Sequence, residues 1–204
     1  MVEQTAFGYD DFYFAWGDHI CGIFDNRAQQ MAVMGEFIAS GIRAEQRCVW
    51  VSSRESAEAL RAELTGLGGD LPTLETSNQL LIISEIDFYL REGVFDPDRT
   101  IDLIGTLLED NQREGYAVMR LANDVSWLSQ GRVDTDVWES FEARLTQEVA
   151  RLPLVMVCQY GRRQLSGDLI VTALRTHTTV ILGDTFRRNP FYVPITGAGT
   201  AEIV

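Results

Sequence analysis

The 204-residue sequence contains no lysine, so all 17 of its basic residues are arginines. Without lysine the chain cannot form a side-chain Schiff base, and it cannot supply the lysine of a phosphate-binding P-loop. The sequence is also poor in cysteine: Cys21, Cys48 and Cys158 are odd in number and form no Cys-x-x-Cys pair. We therefore expect reduced, buried thiols rather than a disulfide scaffold.

Long apolar runs are absent as well. No segment of the sequence approaches the ~18–20 apolar residues that a membrane helix requires, and residues 1–4 lack the features of a signal peptide. With 30 acidic residues the formal net charge is −13, which disfavours a broad surface for nucleic acid or for an anionic membrane. We therefore expect a cytoplasmic protein that binds neither of them directly.

Apolar segments alternate with helical patterns along the chain. This βαβ alternation predicts the α/β class, with three layers and a mostly parallel sheet flanked by helices on both faces. Ser52 and Asp96 are predicted helix N-caps, the latter followed by Pro97 at the first helical position. The predicted buried strands are Ile20 to Phe24, Cys48 to Val51, Leu80 to Ser84, Ala117 to Leu121, Leu154 to Cys158 and Val180 to Leu182, with Phe191 to Val193 near the end.

The chain divides into three parts. Residues 1–16 are rich in aromatic side chains and are expected to form an arm that packs on the body. Residues 17–194 form one α/β domain, which a composition of 46% hydrophobic residues can supply with a core. Residues 195–204 are expected to be a flexible tail.

The first predicted strand begins at His19 and ends in the turn Asp25-Asn26-Arg27, which leads into a helix. A nucleotide-binding α/β protein places its glycine-rich phosphate loop here, but this turn has neither glycine nor lysine. Gly-x-Gly-x-x-Gly and Gly-x-Ser-x-Gly motifs are also missing. ATP hydrolysis and serine-based acyl transfer are thus disfavoured, and we expect a protein that is not an enzyme.

Metal binding is an alternative that the sequence leaves open. His19 and Cys21 lie two residues apart on a strand and therefore point to the same face. With Cys158 and His177 they make a two-cysteine, two-histidine set, which suits zinc if the first and fifth strands are neighbours. The same residues could serve a haem, or simply form a hydrogen-bonded core histidine beside apolar thiols. Arg120 closes a buried strand and is expected to pair with a carboxylate.

Several short motifs occur along the chain in a fixed order: His19-x-Cys21 with Phe24, the stretch Phe88 to Pro97, Gly115-Tyr116, Trp127, Phe141-Glu142, Cys158-Gln159-Tyr160, His177 and Tyr192. Together they resemble a known family, the methanogen/methylotroph sensory (MEDS) domain of regulators such as the one that controls dichloromethane use. The resemblance covers roughly residues 17–194 and rests on the combination rather than on any single motif.

The resemblance implies a core similar to RecA/KaiC-like ATPases that has lost its phosphate loop. It also implies a sensor of small hydrocarbon derivatives or related metabolites, without catalytic residues. Its output would pass to a separate regulatory protein, such as a kinase, an anti-sigma-type protein or a DNA-binding protein, and the chain could form a homodimer. The implied ligand-binding residues are His19, Cys21, Phe24, Tyr89, Trp127, Glu142, Cys158, Tyr160 and His177.

Two functional alternatives stay open beside the organic ligand. One is a regulator that binds a nucleotide without a P-loop, and the other is the metal or haem sensor described above. The position of the pocket is also open, because ligands of open α/β sheets sit at the carboxyl ends of the strands. His19, by contrast, begins its strand.

Overall fold

The computed structural model describes residues 4–9 and 12–194, so the expected flexible tail at 195–204 lies outside the described residues. The strands are β1 (Gln4–Ala6), β2 (Tyr13–Ala15), β3 (His19–Phe24), β4 (Arg47–Ser52), β5 (Leu80–Ser84), β6 (Met119–Asp124), β7 (Leu154–Gly161), β8 (Thr179–Leu182) and β9 (Thr185–Arg188). The α-helices are α1 (Arg27–Arg43), α2 (Arg54–Gly66), α3 (Leu71–Thr76), α4 (Glu85–Phe88), α5 (Pro97–Arg113), α6 (Thr135–Val149) and α7 (Gly167–Thr176), and 3-10 helices span Arg91–Gly93 and Ser126–Gln130.

A seven-stranded sheet in the order β5-β4-β6-β7-β3-β8-β9 forms the centre of the fold. Each neighbouring pair is parallel except β8 and β9, which are antiparallel. The predicted α/β class with a mostly parallel sheet is therefore confirmed. The first and fifth predicted strands, β3 and β7, lie side by side with Cys21 opposite Cys158.

The last predicted strand is wrong. Phe191 to Val193 are not in a strand, and the seventh strand of the sheet is instead β9. Leu182 pairs with Thr185, so only Gly183 and Asp184 connect β8 to β9. Gly183 has φ 64°, a conformation that a tight two-residue hairpin turn requires and that glycine adopts without strain.

N-cap side chains determine where the helices begin. Asp96 accepts a hydrogen bond from the Arg99 backbone N–H (3.1 Å) and is followed by Pro97 at the first position of α5, as predicted. For α2 the cap is Ser53, not Ser52. Ser52 is still the last residue of β4, where its hydroxyl accepts a hydrogen bond from Trp50 Nε1 at 2.8 Å.

Two apolar clusters cover the two faces of the sheet. On the face that we call the α1 face, α1 and α2 bury side chains such as Met34, Phe37 and Leu60. On the opposite face, called the α6 face, α5, α6 and α7 bury side chains such as Leu108 and Phe141. The sheet therefore has helices on both faces, and each face has its own core.

The hairpin β1–β2 packs on the α1 face, where Phe7 and Phe14 are buried against Phe37. Arg120 holds it there. The guanidinium is buried and donates to Ala6 O (2.8 Å), and it lies 4.9 Å from the Phe37 ring centroid. Among residues 4–9 and 12–194 the expected carboxylate partner is not found, and the hydrogen bonds of Arg120 within these residues go to neutral oxygens. These are Gln46 Oε1, Phe37 O, Phe7 O, Ser40 Oγ, Thr5 Oγ1 and Ala6 O.

Candidate functional site

Four side chains with metal-binding chemistry meet inside the α6 face. His19 begins β3, Cys158 lies on β7, Glu142 on α6, and His177 directly follows α7. One nitrogen, oxygen or sulfur atom from each lies within 4.8 Å of all the others. All four side chains are buried, with at most 1% of any of them exposed. We call this group the buried cluster.

The hydrogen bonds of His19 fix its tautomer. The Thr146 hydroxyl donates to Thr176 O (2.6 Å), so it must accept from the His19 Nδ1–H that lies 2.8 Å away. His19 Nε2 then carries the free lone pair, 3.3 Å from Cys158 Sγ and 3.4 Å from Glu142 Oε2. Burial, together with the nearby His177, lowers the pKa of His19 well below its usual value and keeps the ring neutral.

His177 is oriented in the same way by a backbone group. Its Nδ1 lies 2.9 Å from Ala173 O, and because a carbonyl can only accept, this nitrogen carries the proton. His177 Nε2 faces Glu142 Oε2 at 3.4 Å and makes no hydrogen bond within residues 4–9 and 12–194. Burial lowers the pKa of His177 to about 3. The two imidazole rings, with centroids 4.0 Å apart, thus both turn a neutral Nε2 toward the same carboxylate.

Glu142 has one satisfied oxygen and one unsatisfied oxygen. Tyr160 donates its hydroxyl proton to Glu142 Oε1 (2.9 Å), while Trp138 Nε1 donates to the same hydroxyl oxygen at 3.3 Å. Glu142 Oε2 has no hydrogen-bond partner among the residues that the structure describes. Burial raises the pKa of Glu142 to about 8, even though the Tyr160 hydrogen bond opposes the shift.

Cys158 completes the buried cluster from the sheet. Burial raises the pKa of its thiol well above the usual value, and the nearby Glu142 carboxylate acts in the same direction. Asn123 Nδ2, on the neighbouring strand β6, donates toward Cys158 Sγ at 3.9 Å. Cys21 lies opposite Cys158 on β3, but its sulfur contacts Thr179 O (3.8 Å) and is not one of the converging donors.

An aromatic wall lies next to the buried cluster. We define it as Tyr89, Phe95, Trp127, Trp138 and Phe141, whose rings pack on one another with centroids such as those of Tyr89 and Trp127 5.1 Å apart. Trp138 joins this wall to the cluster through Tyr160. Trp127 is 3% exposed, and in the described part of the chain its indole N–H has no hydrogen-bond partner. The resemblance implied both Tyr89 and Trp127, and both lie in this wall.

Phe24 is the implied residue that falls elsewhere. Its side chain belongs to the core of the α1 face and is separated from the buried cluster by the sheet. This follows from strand periodicity: on β3, His19, Cys21 and Ile23 share one face, whereas Ile20, Gly22 and Phe24 share the other. The structure therefore brings together His19, Cys21, Glu142, Cys158, Tyr160 and His177 on the α6 face, with Tyr89 and Trp127 in the adjoining wall.

At the edge where a phosphate loop would lie, the groups that could bind a phosphate are paired with side chains of the protein. Arg27, in the first turn of α1, forms an ion pair with Asp124 at the end of β6 (2.7 Å) and also donates to Ser56 Oγ (2.8 Å). Asn26 caps α1 by accepting from the Gln29 backbone N–H. The helix N-terminus and its nearest cation thus already have partners within the chain.

Two clefts open at this edge, each of about 240 Å³. Arg27 and Gln164 line both of them. The cleft on the α6 side, which we call the Trp127 cleft, is lined by Arg27, Ser53, Glu55, Glu85, Ser126, Trp127, Ser129, Gln130 and Gln164. It lies at the carboxyl ends of the parallel strands, where open α/β sheets bind their ligands.

Some functional groups were not singled out by sequence reasoning. Thr146 lies one helical turn after Glu142, a spacing that could have placed its hydroxyl near the same site. Asn123 is a polar residue at the end of a buried strand, which is also a signal. The ion pair between Arg27 and Asp124 spans β3, α1 and β6, and no sequence spacing indicates it.

The fold belongs to a known class of α/β protein. A KaiC-like protein from Pyrococcus horikoshii OT3 superimposes with a TM-score of 0.62 at 14% sequence identity, over 89% of this chain and 81% of the other. At this identity the similarity concerns the fold alone, which is the RecA-like fold of KaiC. The expected RecA/KaiC-like architecture is therefore confirmed.

Within that class the chain has a definite family. Residues 18–178 match the family model of the MEDS domain, the "MEthanogen/methylotroph, DcmR Sensory domain". The chain belongs to this family, so a signal-sensing role is indicated. No curated protein matches the sequence significantly. Among the described residues no helix is long and apolar enough to cross a membrane.

Proposed function

We propose that this chain is a non-enzymatic sensor that binds a small organic molecule in the Trp127 cleft and passes the signal to a separate regulatory protein. The observation that carries the proposal is Trp127 itself. Its buried indole N–H has no hydrogen-bond partner, and the residue lines a cleft at the ligand-binding edge of the sheet. An unpaired buried donor costs about 1–3 kcal/mol, so a ligand that accepts its proton gains affinity.

The cleft defines the class of ligand. A volume of about 240 Å³ suits a molecule of a few carbon atoms. Trp127, which is 3% exposed, contributes the aromatic side chain of the lining, and Ser126 and Ser129 add hydroxyl groups. Charged side chains of Arg27, Glu55 and Glu85 complete it. Small hydrocarbon derivatives with one acceptor group, such as alcohols, carbonyl compounds or alkyl halides, have this chemistry.

We place the organic ligand at Trp127 rather than at His19 and Tyr160. His19 and Tyr160 are at most 1% exposed, and the four donor atoms of the buried cluster all lie within 4.8 Å of one another. A carbon skeleton does not fit between atoms that close, and a haem ring does not either. The Trp127 cleft is open to solvent, and the aromatic wall connects it to the cluster.

The output is proposed to be a change in protein contacts. The reactive side chains of the buried cluster do not reach solvent, which supports a binding role over catalysis. A net charge of −13 favours a protein partner over nucleic acid. A ligand can alter the partner contact only if it binds two states of this domain with different affinity.

A nucleotide is the weaker alternative. Nucleotide phosphates bind at helix N-termini through free backbone N–H groups and nearby cations. Here Asn26 caps α1, and Arg27 is already paired with Asp124. A phosphate would have to displace both interactions.

Calorimetric unfolding in a sealed cell, with dichloromethane and methanol as probes, tests the proposal. At a probe concentration ten times its Kd, stabilisation by about 1.4 kcal/mol should raise the Tm by about 3–6 °C. Trp127→Phe keeps an aromatic ring at this position but removes the indole N–H, so it should reduce the Tm shift. Trp16→Phe is the matched control, because Trp16 precedes β3 at the opposite end of the strand from the cleft. No shift with either probe, or an undiminished shift in Trp127→Phe, would overturn the proposal.

A further inference from the structure

We propose that His19, Glu142, Cys158 and His177 bind one divalent transition metal ion, Zn²⁺ by the chemistry of the donors, in a closed tetrahedral site. Metal–ligand bonds of 2.0–2.3 Å at tetrahedral angles separate neighbouring donor atoms by about 3.3–3.6 Å. The distances from His19 Nε2 to Cys158 Sγ (3.3 Å), from His19 Nε2 to Glu142 Oε2 (3.4 Å) and from His177 Nε2 to Glu142 Oε2 (3.4 Å) agree with this separation.

Both histidines are already set as ligands. A zinc-binding imidazole offers one bare nitrogen while its other N–H is held by a protein acceptor. His19 Nδ1–H is held by Thr146 Oγ1, and His177 Nδ1–H by Ala173 O. Each ring therefore turns the correct nitrogen inward.

The other two donors have supporting partners as well. Tyr160 donates to Glu142 Oε1 and so directs Oε2 toward the centre of the cluster. Asn123 Nδ2 points at Cys158 Sγ (3.9 Å), where it can stabilise a thiolate. Four donors with four supporting groups is the arrangement expected around a bound metal ion.

The unsatisfied atoms lie where the ion would be. Glu142 Oε2 and His177 Nε2 are buried and have no hydrogen-bond partner, although they face each other at 3.4 Å. In a neutral cluster the Cys158 thiol would donate to His19 Nε2, and a protonated Glu142 would meet His177 Nε2 only over 3.4 Å, longer than an ordinary hydrogen bond from an O–H group. A Zn²⁺ ion satisfies both, and with a carboxylate and a thiolate its charge is balanced inside the apolar core.

The donor set indicates which ion and which role. Two imidazoles, one thiolate and one carboxylate in tetrahedral geometry favour Zn²⁺ among common biological cations. Because the protein supplies all four ligands, the site resembles a structural rather than a catalytic zinc site. The ion would join β3, β7, α6 and the end of α7, and it would contact the aromatic wall through Glu142, Tyr160 and Trp138.

The test uses the full chain without a polyhistidine tag, produced in zinc-supplemented medium. Elemental analysis should find about one zinc per chain. After chelation, Co²⁺ should restore one ion per chain with the visible absorption of tetrahedral cobalt and a near-ultraviolet thiolate-to-cobalt band. Cys158→Ser should lose the thiolate band. Cys21→Ser should keep it, because Cys21 is equally buried and in register with Cys158 but its sulfur faces Thr179 O.

A protein that folds but binds neither ion stoichiometrically would overturn the proposal in favour of the neutral cluster. A thiolate band that persists in Cys158→Ser would also overturn this ligand set. The result is independent of the organic ligand: zinc without a probe-induced Tm shift supports this site and rejects the proposed sensor ligand. A probe-induced Tm shift in a protein that binds no zinc rejects only the metal site.

Discussion

The two faces of the central sheet each bury an ionisable group, and they treat it in opposite ways. On the α1 face, Arg120 is surrounded by backbone carbonyls, hydroxyls and the Gln46 amide oxygen, all of which accept its protons. On the α6 face, Glu142 receives one hydrogen bond at Oε1 and none at Oε2. Arg120 therefore makes several hydrogen bonds to the chain, whereas one of the two carboxylate oxygens of Glu142 makes none among the described residues.

The difference separates a structural role from a binding role. The hydrogen bonds of Arg120 tie the N-terminal hairpin to α1 and the sheet, and each of its three guanidinium nitrogens already donates to an oxygen of the chain. Glu142 and His177 instead leave two buried polar atoms directed at each other. Buried polar atoms in native proteins are rarely left without a partner, and these two atoms therefore support the zinc site that we propose on the α6 face.

The largest effect is expected from replacing Arg120, the buried group on the α1 face whose hydrogen bonds are made within the chain. Arg120→Met removes the hydrogen bonds to Ala6 O and Phe37 O and releases the hairpin, and it should lower the free energy of unfolding by about 3–5 kcal/mol in urea titration.

Arg47→Met is the matched control. Arg47 is also buried, but its Nε and Nη1 make no hydrogen bond and its ion pair with Glu114 is 3.9 Å long. We expect a loss of less than about 1.5 kcal/mol. An equal loss for the two arginines would show that the Arg120 hydrogen bonds do not anchor the hairpin.

Removing zinc tests the buried cluster on the α6 face. With free Zn²⁺ at 1,000 times its Kd, the ion should stabilise the fold by about 4 kcal/mol, or about 8–16 °C in Tm, relative to chelated protein. The comparison is made by calorimetry with and without chelator. Cys158→Ser should show a much smaller chelator effect, while Cys21→Ser should behave as the unmodified chain. A chelator effect of the same size in Cys158→Ser would place the ion elsewhere.

Sequence patterns were sufficient for the architecture. Apolar runs such as Cys48 to Val51, separated by segments with helical spacing, predicted most of the strands and the mostly parallel direction of the sheet. Local chemistry also predicted the start of α5 at Asp96-Pro97. These features depend on near neighbours in the chain, and for that reason they can be read from it. The strand β9 was missed because Thr185–Arg188 is short and polar, and its pairing depends on the turn at Gly183.

The site was predictable only in part. Strand alternation correctly placed His19 and Cys21 on one face, but it could not show that the Cys21 sulfur turns toward Thr179 O. The proposed metal set therefore differs from the one weighed on the sequence, with Glu142 in place of Cys21. The pairing of Glu142 with two histidines joins a helix, a strand and a helix end that are far apart in sequence. Such contacts follow from packing and not from spacing.

A smaller effect on the α6 face is expected from Thr146→Val. This change removes the oxygen that holds His19 Nδ1–H without touching a donor atom, and it should weaken zinc binding by about 10–100-fold in a competition assay with a chromophoric chelator. Thr172→Val is the control, since the Thr172 hydroxyl is also buried between α6 and α7 but bonds Glu139 rather than the cluster. If both variants bind zinc as tightly as the unmodified chain, orientation of His19 by Thr146 does not contribute to the site.

The smallest effects are expected from removing one helix N-cap on each face, and these two effects should be equal. Ser53 caps α2 on the α1 face and Ser166 caps α7 on the α6 face, each by accepting a backbone N–H at 3.3 Å. Replacing either with alanine should cost about 1 kcal/mol of folding free energy. Ser166 lies at the opposite end of α7 from His177, so neither change should alter zinc affinity by more than about twofold. A tenfold loss in Ser166→Ala alone would mean that zinc affinity follows the stability of α7 as a whole. The unpaired Nε2 of His177 would then reflect a loosely held end of α7 rather than a preformed metal site.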